Sequence, residues 1–87
     1  MDVFEAIAER HRRLLLDMLA RRERSAGELG AALPRLTQPA VSSHLRALRE
    51  AGLVVVRPEA QKRIYALRPG RLAEVSAWLQ RIKGAGR

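Results

Sequence analysis

The sequence predicts a mainly α-helical fold with a small β-hairpin, in the order ααααββα, which is a winged helix-turn-helix layout. Three observations predict it. Apolar residues recur at three- and four-residue steps through most of the chain; Leu53 to Arg57 is rich in valine and, after a break, Arg63 to Arg68 resumes with Ile64, Tyr65 and Leu67; and Ser25, Pro34, Thr37, Gly52 and Pro69-Gly70 punctuate the segments between. At 87 residues there is room for one core, so one domain spanning 1–87 is expected. Aromatic residues are only 3% of the chain, so that core must be built from Leu, Val, Ile and Ala.

Val3, Phe4, Ile7 and Ala8 share one stripe of a first helix, about residues 2–8. A second helix runs from about Glu9 to Arg21, with Leu15, Met18 and Leu19 inward and His11, Leu14 and Leu16 near the edges. Arg21 to Arg24 is a charged stop. Ser25 and Glu28 have capping-box spacing, so a third helix begins at Ser25, turns Leu29 and Leu33 inward and ends at Pro34. Thr37 caps a fourth helix, about 37–51, with Pro39 in its first turn, where a missing amide hydrogen costs little; Gly52 supplies a left-handed stop. Leu53 to Arg57 and Arg63 to Arg68, separated by a break at Pro58 to Ala60, read as a two-stranded hairpin over about 53–68. After Pro69-Gly70 a last helix covers about 70–83 on the stripe Leu72, Val75, Leu79 and Ile82, and Gly84 to Arg87 reads as a frayed end.

On the fourth helix, steps of about 100° per residue put Val41, Leu45 and Leu48 on one face and Pro39, Ser42, Ser43, Arg46 and Glu50 on the other. Short hydroxyl side chains let a helix sink into a major groove, where its first turns reach base edges. Gln38 can pair adenine, and Arg46 can pair guanine or a phosphate. The candidate groove contacts are Thr37, Gln38, Pro39, Ser42, Ser43, Arg46 and Arg49. His44 is a secondary candidate, because it lies beside the buried stripe, where packing or a structural hydrogen bond is the alternative. Arg57, Gln61, Lys62 and Arg63 surround the hairpin turn, where positive charge can straddle a phosphate backbone. Taken alone, each set also fits an ordinary solvated surface.

The net charge of +8 favours a polyanionic partner, and the abundance of arginine suits phosphate oxygens and guanine edges, although a compositional bias toward arginine has the same appearance. No run approaches the roughly 18 apolar residues of a membrane helix, the amino terminus is unlike a secretory signal, and there is no cysteine; a cytoplasmic location with no membrane partner is expected. No catalytic site is expected, because Ser42, Ser43 and His44 are helix neighbours whose side chains diverge, and no glycine loop cradles a phosphate. No cofactor is expected either. His11 and His44 are the only histidines and do not make a metal site unless carboxylates or a second chain assist, so no metal is expected.

Val3, Phe4 and Ile7 in the first helix and Leu72, Val75, Trp78, Leu79 and Ile82 in the last need cover, and together they suffice for a two-fold interface between copies of this chain. For Trp78 the alternative is packing within its own chain. A winged helix can also serve as a protein-interaction or assembly module without sequence-specific DNA reading, and the residues name no small-molecule effector.

Glu9-Arg10-His11-Arg12-Arg13-Leu14-Leu15, Ser25-Ala26-Gly27-Glu28-Leu29 and above all the stretch from Thr37 to Val54 resemble the ArsR-type family of bacterial winged-helix repressors, over nearly the whole chain. Arg10 stands where that family often has proline, and the hairpin lacks the glycine often found at the wing tip. The resemblance implies a homodimer formed through the first and last helices, an inverted-repeat operator in double-stranded DNA, transcriptional repression, and DNA contacts at Gln38, Ser42, Ser43 and Arg46. Many members of that family sense metal through cysteines in the third helix or carboxylate and histidine pairs in the last. Ser25 to Leu29 has no thiol and the last helix offers only Glu74, so metal sensing is not carried over.

Overall fold

The computed structural model describes residues 1–86. Helices α1 (Val3–Ile7) and α2 (Arg10–Arg21) are followed by a short strand β1 (Arg24–Ser25), helices α3 (Ala26–Ala31) and α4 (Gln38–Glu50), strands β2 (Val54–Glu59) and β3 (Lys62–Leu67), a 3-10 turn (Pro69–Arg71) and helix α5 (Leu72–Ala85). The first four helix starts have a local cause. Asp2 and Ser25 form capping boxes with Glu5 and Glu28, Glu9 accepts the Arg12 amide, and Thr37 accepts the Ala40 amide.

The core is leucine-rich, as the composition requires: Leu15 of α2, Leu29 of α3, Leu45 and Leu48 of α4 and Leu53 at the head of the wing are fully buried. Burying each such side chain contributes about 1.5–3 kcal/mol. Val3 and Ala6 of α1 complete this core. That corrects the reading of Val3 as an interface residue, because at 1% exposure it has no surface to offer a second chain. Helix α1 is held in place by arginines from α2, with Arg12 donating to the Ala6 and Glu5 carbonyls and Arg13 to that of Ile7. They add donors to carbonyls at the end of this five-residue helix, where the Ala8 amide already reaches that of Glu5.

The expected hairpin is present as β2 and β3, and β1 adds a third strand to its sheet in the order β1-β3-β2. Arg24 pairs with Tyr65 and Ser25 with Ile64, so Arg24, the last residue of the expected charged stop, begins a strand. Two residues give no periodicity to read, and only the long-range partner defines them. Pro58 and Glu59 also belong to β2, opposite Arg63 and Lys62, where a break was expected. Because β2 is an edge strand, Pro58 interrupts no ladder on its free side. The turn reduces to Ala60 and Gln61, and Ala60 takes the left-handed φ of 55° that glycine usually supplies.

Two helix boundaries also differ. Helix α3 stops at Ala31, so Leu33 lies beyond it and packs against the core only partly buried. Helix α5 continues to Ala85, through the Gly84 read as the start of a frayed end, while Arg87 lies outside the described residues. Gly52 ends α4 as expected, with φ 79°, and the Leu53 amide reaches back to the Leu48 carbonyl at 2.9 Å. This sharp stop places the wing beside α4.

Candidate nucleic-acid interface

Helix α4 has four buried residues, Val41, Leu45, Ala47 and Leu48, and they set which residues face out. Thr37, Gln38, Pro39, Ser42, Ser43, Arg46 and Arg49 are all exposed, which puts the polar first turns and both arginines on the open side of the helix. The wing brings a third arginine to that side. A concavity of about 360 Å³ between α4 and β3 is lined by Gln38, Ser42, Arg46, Arg49 and Arg63 among others. A second, of about 590 Å³, lies between Arg46, Arg49 and Glu50 of α4 and Val54, Val55 and Val56 of β2. Arg46 and Arg49 therefore border both hollows.

Among the described residues, Arg46, Arg49, Lys62 and Arg63 enter no ion pair, which leaves their donors available to an anionic partner. Gln61 and Lys62 are exposed at the hairpin tip. Arg57 is different. Its guanidinium is 2.8 Å from Glu23 and 3.1 Å from Glu59, and these two carboxylates raise its pKa. Of the four expected wing contacts, Arg57 is the one whose guanidinium already has carboxylate partners.

His44 is half-buried and turned toward the start of α2. Its ring stacks on His11 at a centroid distance of 5.8 Å, its Nδ1 is 3.4 Å from Nη1 of Arg12, and the same nitrogen is 3.8 Å from Glu9. A structural role fits this position better than a base contact. Glu9 is the hub: it accepts the Arg12 amide and pairs with Nδ1 of His11 at 2.9 Å. Partial burial raises its pKa, but the His11 and Arg12 hydrogen bonds and the charge of His44 outweigh that and lower it to about 2. Sequence reasoning missed this group, since Glu9 and His44 are far apart in the chain. The visible signal was a carboxylate two residues before one of only two histidines. Among the described residues, Glu9, His11 and His44 are the group that could hold a metal ion.

The predicted interface residues divide in two. Ile7, Leu72 and Val75 are partly buried and pack against the core of their own chain. Phe4, Trp78, Leu79 and Ile82 remain about 40–53% exposed, and Phe4 meets Trp78 edge to face at 6.0 Å.

A three-helix core, a capped helix-turn-helix with its basic face outward, and an adjoining β-wing define a winged helix-turn-helix protein of the DNA-binding class. The profile of the family described as "Bacterial regulatory protein, arsR family" matches residues 10–56, more than half of the chain. The HTH-type transcriptional regulator Rv2034 of Mycobacterium tuberculosis is 40% identical over 91% of this chain and 73% of its own length. The transcriptional activator HlyU of Vibrio cholerae is 45% identical over 75% of this chain and 59% of its own. Among solved structures, a possible transcriptional regulator for arsenical resistance superposes with a TM-score of 0.84 at 38% identity, covering 94% of this chain and 84% of the other. The chain belongs to the arsR family of bacterial regulatory proteins: it is a DNA-binding transcriptional regulator and not an enzyme. Membership sets aside the interaction-module alternative. Among the described residues no helix is long and apolar enough to cross a membrane.

Proposed function

We propose that this regulator acts in the cytoplasm as a homodimer formed through α1 and α5, binds an inverted-repeat operator and represses transcription by excluding polymerase. The observation that carries the reading is the pairing of two surfaces on one small domain. One is the open α4 face with Gln38, Ser42, Ser43 and Arg46; the other is the apolar cluster Phe4, Trp78, Leu79 and Ile82 on the first and last helices. A two-fold axis through the second surface presents two copies of the first, which suits half-sites about 34–36 Å apart. On this reading Gln38, Ser42, Ser43 and Arg46 read bases, with Thr37, Pro39 and Arg49 in support. Lys62, Gln61 and Arg63 grip the backbone from the wing.

Sedimentation of the purified chain, alone and with duplex, tests the assembly. Dimers at micromolar concentration and two chains per duplex are expected; monomers that bind duplex one to one would overturn it. A second reading, activation, is favoured by the name of one relative, the transcriptional activator HlyU. A reporter carrying the bound site upstream of and across a promoter separates the two, because repression lowers output from the overlapping position.

A further inference from the structure

We propose that Glu9, His11 and His44 form a divalent transition-metal site of the two-imidazole, one-carboxylate kind, suited to zinc, that ties the start of α2 to the middle of α4. Each residue offers a ligand atom, and the three atoms lie within 4.8 Å of one another. Nδ1 of His11 is 2.9 Å from Oε1 of Glu9, and Nδ1 of His44 is 3.8 Å from Oε2. Tetrahedral zinc with nitrogen and oxygen ligands at about 2.0–2.1 Å sets ligand atoms about 3.3 Å apart, between those two separations. Those two separations use different oxygens of Glu9, and one ligand atom from each residue lies within 4.8 Å of the others, so seating an ion takes a shift of up to about 1.5 Å in the widest pair. The stacked imidazoles, 24° from parallel, already bring their nitrogens to the same carboxylate.

The remaining surroundings fit an ion with an open position. The side chains of Glu9, His11 and His44 keep 33%, 27% and 18% of their exposure, so water can reach a fourth coordination place while the protein holds three. A single carboxylate does not meet the six or more oxygen ligands that calcium or magnesium requires, whereas imidazole suits zinc and its neighbours. Arg12 opposes binding. Its Nη1 stands 3.4 Å from Nδ1 of His44, but its Nε and Nη2 are committed to the Ala6 and Glu5 carbonyls, so an ion need displace only the contact with His44. Removing the Arg12 charge should accordingly tighten the site.

The site stands independently of the DNA reading, and its test is direct. The metal-free full chain is titrated with zinc sulfate against a chromophoric chelator, while the ring nitrogens of the histidines are followed by NMR. One zinc per chain is expected, with both histidines shifting together, and with a rise in unfolding temperature as zinc is added. Losing a mere neighbour of a metal ligand costs about 10–100-fold in affinity, so H11A should bind at least about tenfold more weakly. R12Q should bind more tightly. Zinc that leaves both rings unshifted, or that binds H11A as tightly as the wild-type chain, would overturn the proposal.

Discussion

Arg46 and Lys62 carry the same charge in settings that predict different losses. Arg46 stands on the open face of α4 between two hollows, where a guanidinium can pair a base; Lys62 stands at the wing tip, where the backbone is what it can touch. Arg46→Ala should cost about 1–3 kcal/mol and relax preference at one base position, whereas Lys62→Ala should weaken all sequences alike and reduce the salt slope by about one. Titration of the preferred duplex and its single-base variants across salt concentrations measures both. Arg57→Ala should change affinity less than Lys62→Ala does, because Glu23 and Glu59 already compensate Arg57. Two backbone positions make stability predictions. At Gly52 (φ +79°) an added Cβ would come 2.9 Å from Nε of Arg71, so Gly52→Ala should lower stability by about 1–2 kcal/mol in urea unfolding, more if Arg71 cannot shift. Ala60 pays part of that same left-handed penalty at φ 55°, and Ala60→Gly should be neutral or stabilising by up to about 1 kcal/mol. The glycine stop was legible in the sequence, but the turn at Ala60 was not, since alanine carries no signal for positive φ.

At the level of elements, caps decide more than propensity. Ser25 both ends β1 and caps α3, accepting the Glu28 amide at 3.1 Å while its own amide donates to Glu28 at 2.9 Å. Ser25→Ala should cost about 1 kcal/mol or more, because the site is buried as well as capping. The Ser25 amide and Arg22 hold the Glu28 carboxyl below its ordinary value, as the His11 and Arg12 hydrogen bonds hold Glu9 near 2. With both pKa values lower in the folded chain, the unfolded chain binds more protons in acid. The stability these groups add is complete above the ordinary carboxyl value of 4.5 and is lost as pH falls below it, for Glu9 toward about 2. Thermal unfolding should therefore drop below pH 4.5, and less steeply in Glu9→Gln. The sequence showed the helices that have caps or apolar stripes: α2, the start of α3, and α4 from Thr37 to Gly52. It did not show β1, whose two residues exist as a strand only because Tyr65 and Ile64 lie opposite them. Nor did it show that β2 runs through Pro58, because an edge position is a property of the sheet and not of the segment. The α4 face was readable for a simple reason: its buried residues alone determine it. The Glu9, His11 and His44 cluster depends on how α2 crosses α4, which no local pattern records.

As a whole the molecule is elongated, 51 × 25 × 23 Å, with a radius of gyration of 14.2 Å where a compact chain of this length has about 12 Å. Helix α5 accounts for this, since none of its fourteen residues is buried, although Leu72 and Val75 lean on the core. A long helix with Trp78, Leu79 and Ile82 in the open, joined edgewise to Phe4, is the exposed apolar surface on which the proposed dimer rests. Trp78→Ala should raise the dimer dissociation constant by a factor of tens, corresponding to about 2 kcal/mol for a central aromatic anchor, and leave the monomer folded by circular dichroism. Under the proposed function, two copies of this chain read two copies of a half-site. Selection of bound duplexes from a random pool by the purified protein, at about 150 mM salt, tests that claim most directly. An inverted repeat with half-site centres about 10–10.5 base pairs apart is the predicted winner. Enrichment of a single unrepeated site, or of nothing beyond the starting pool, would contradict it.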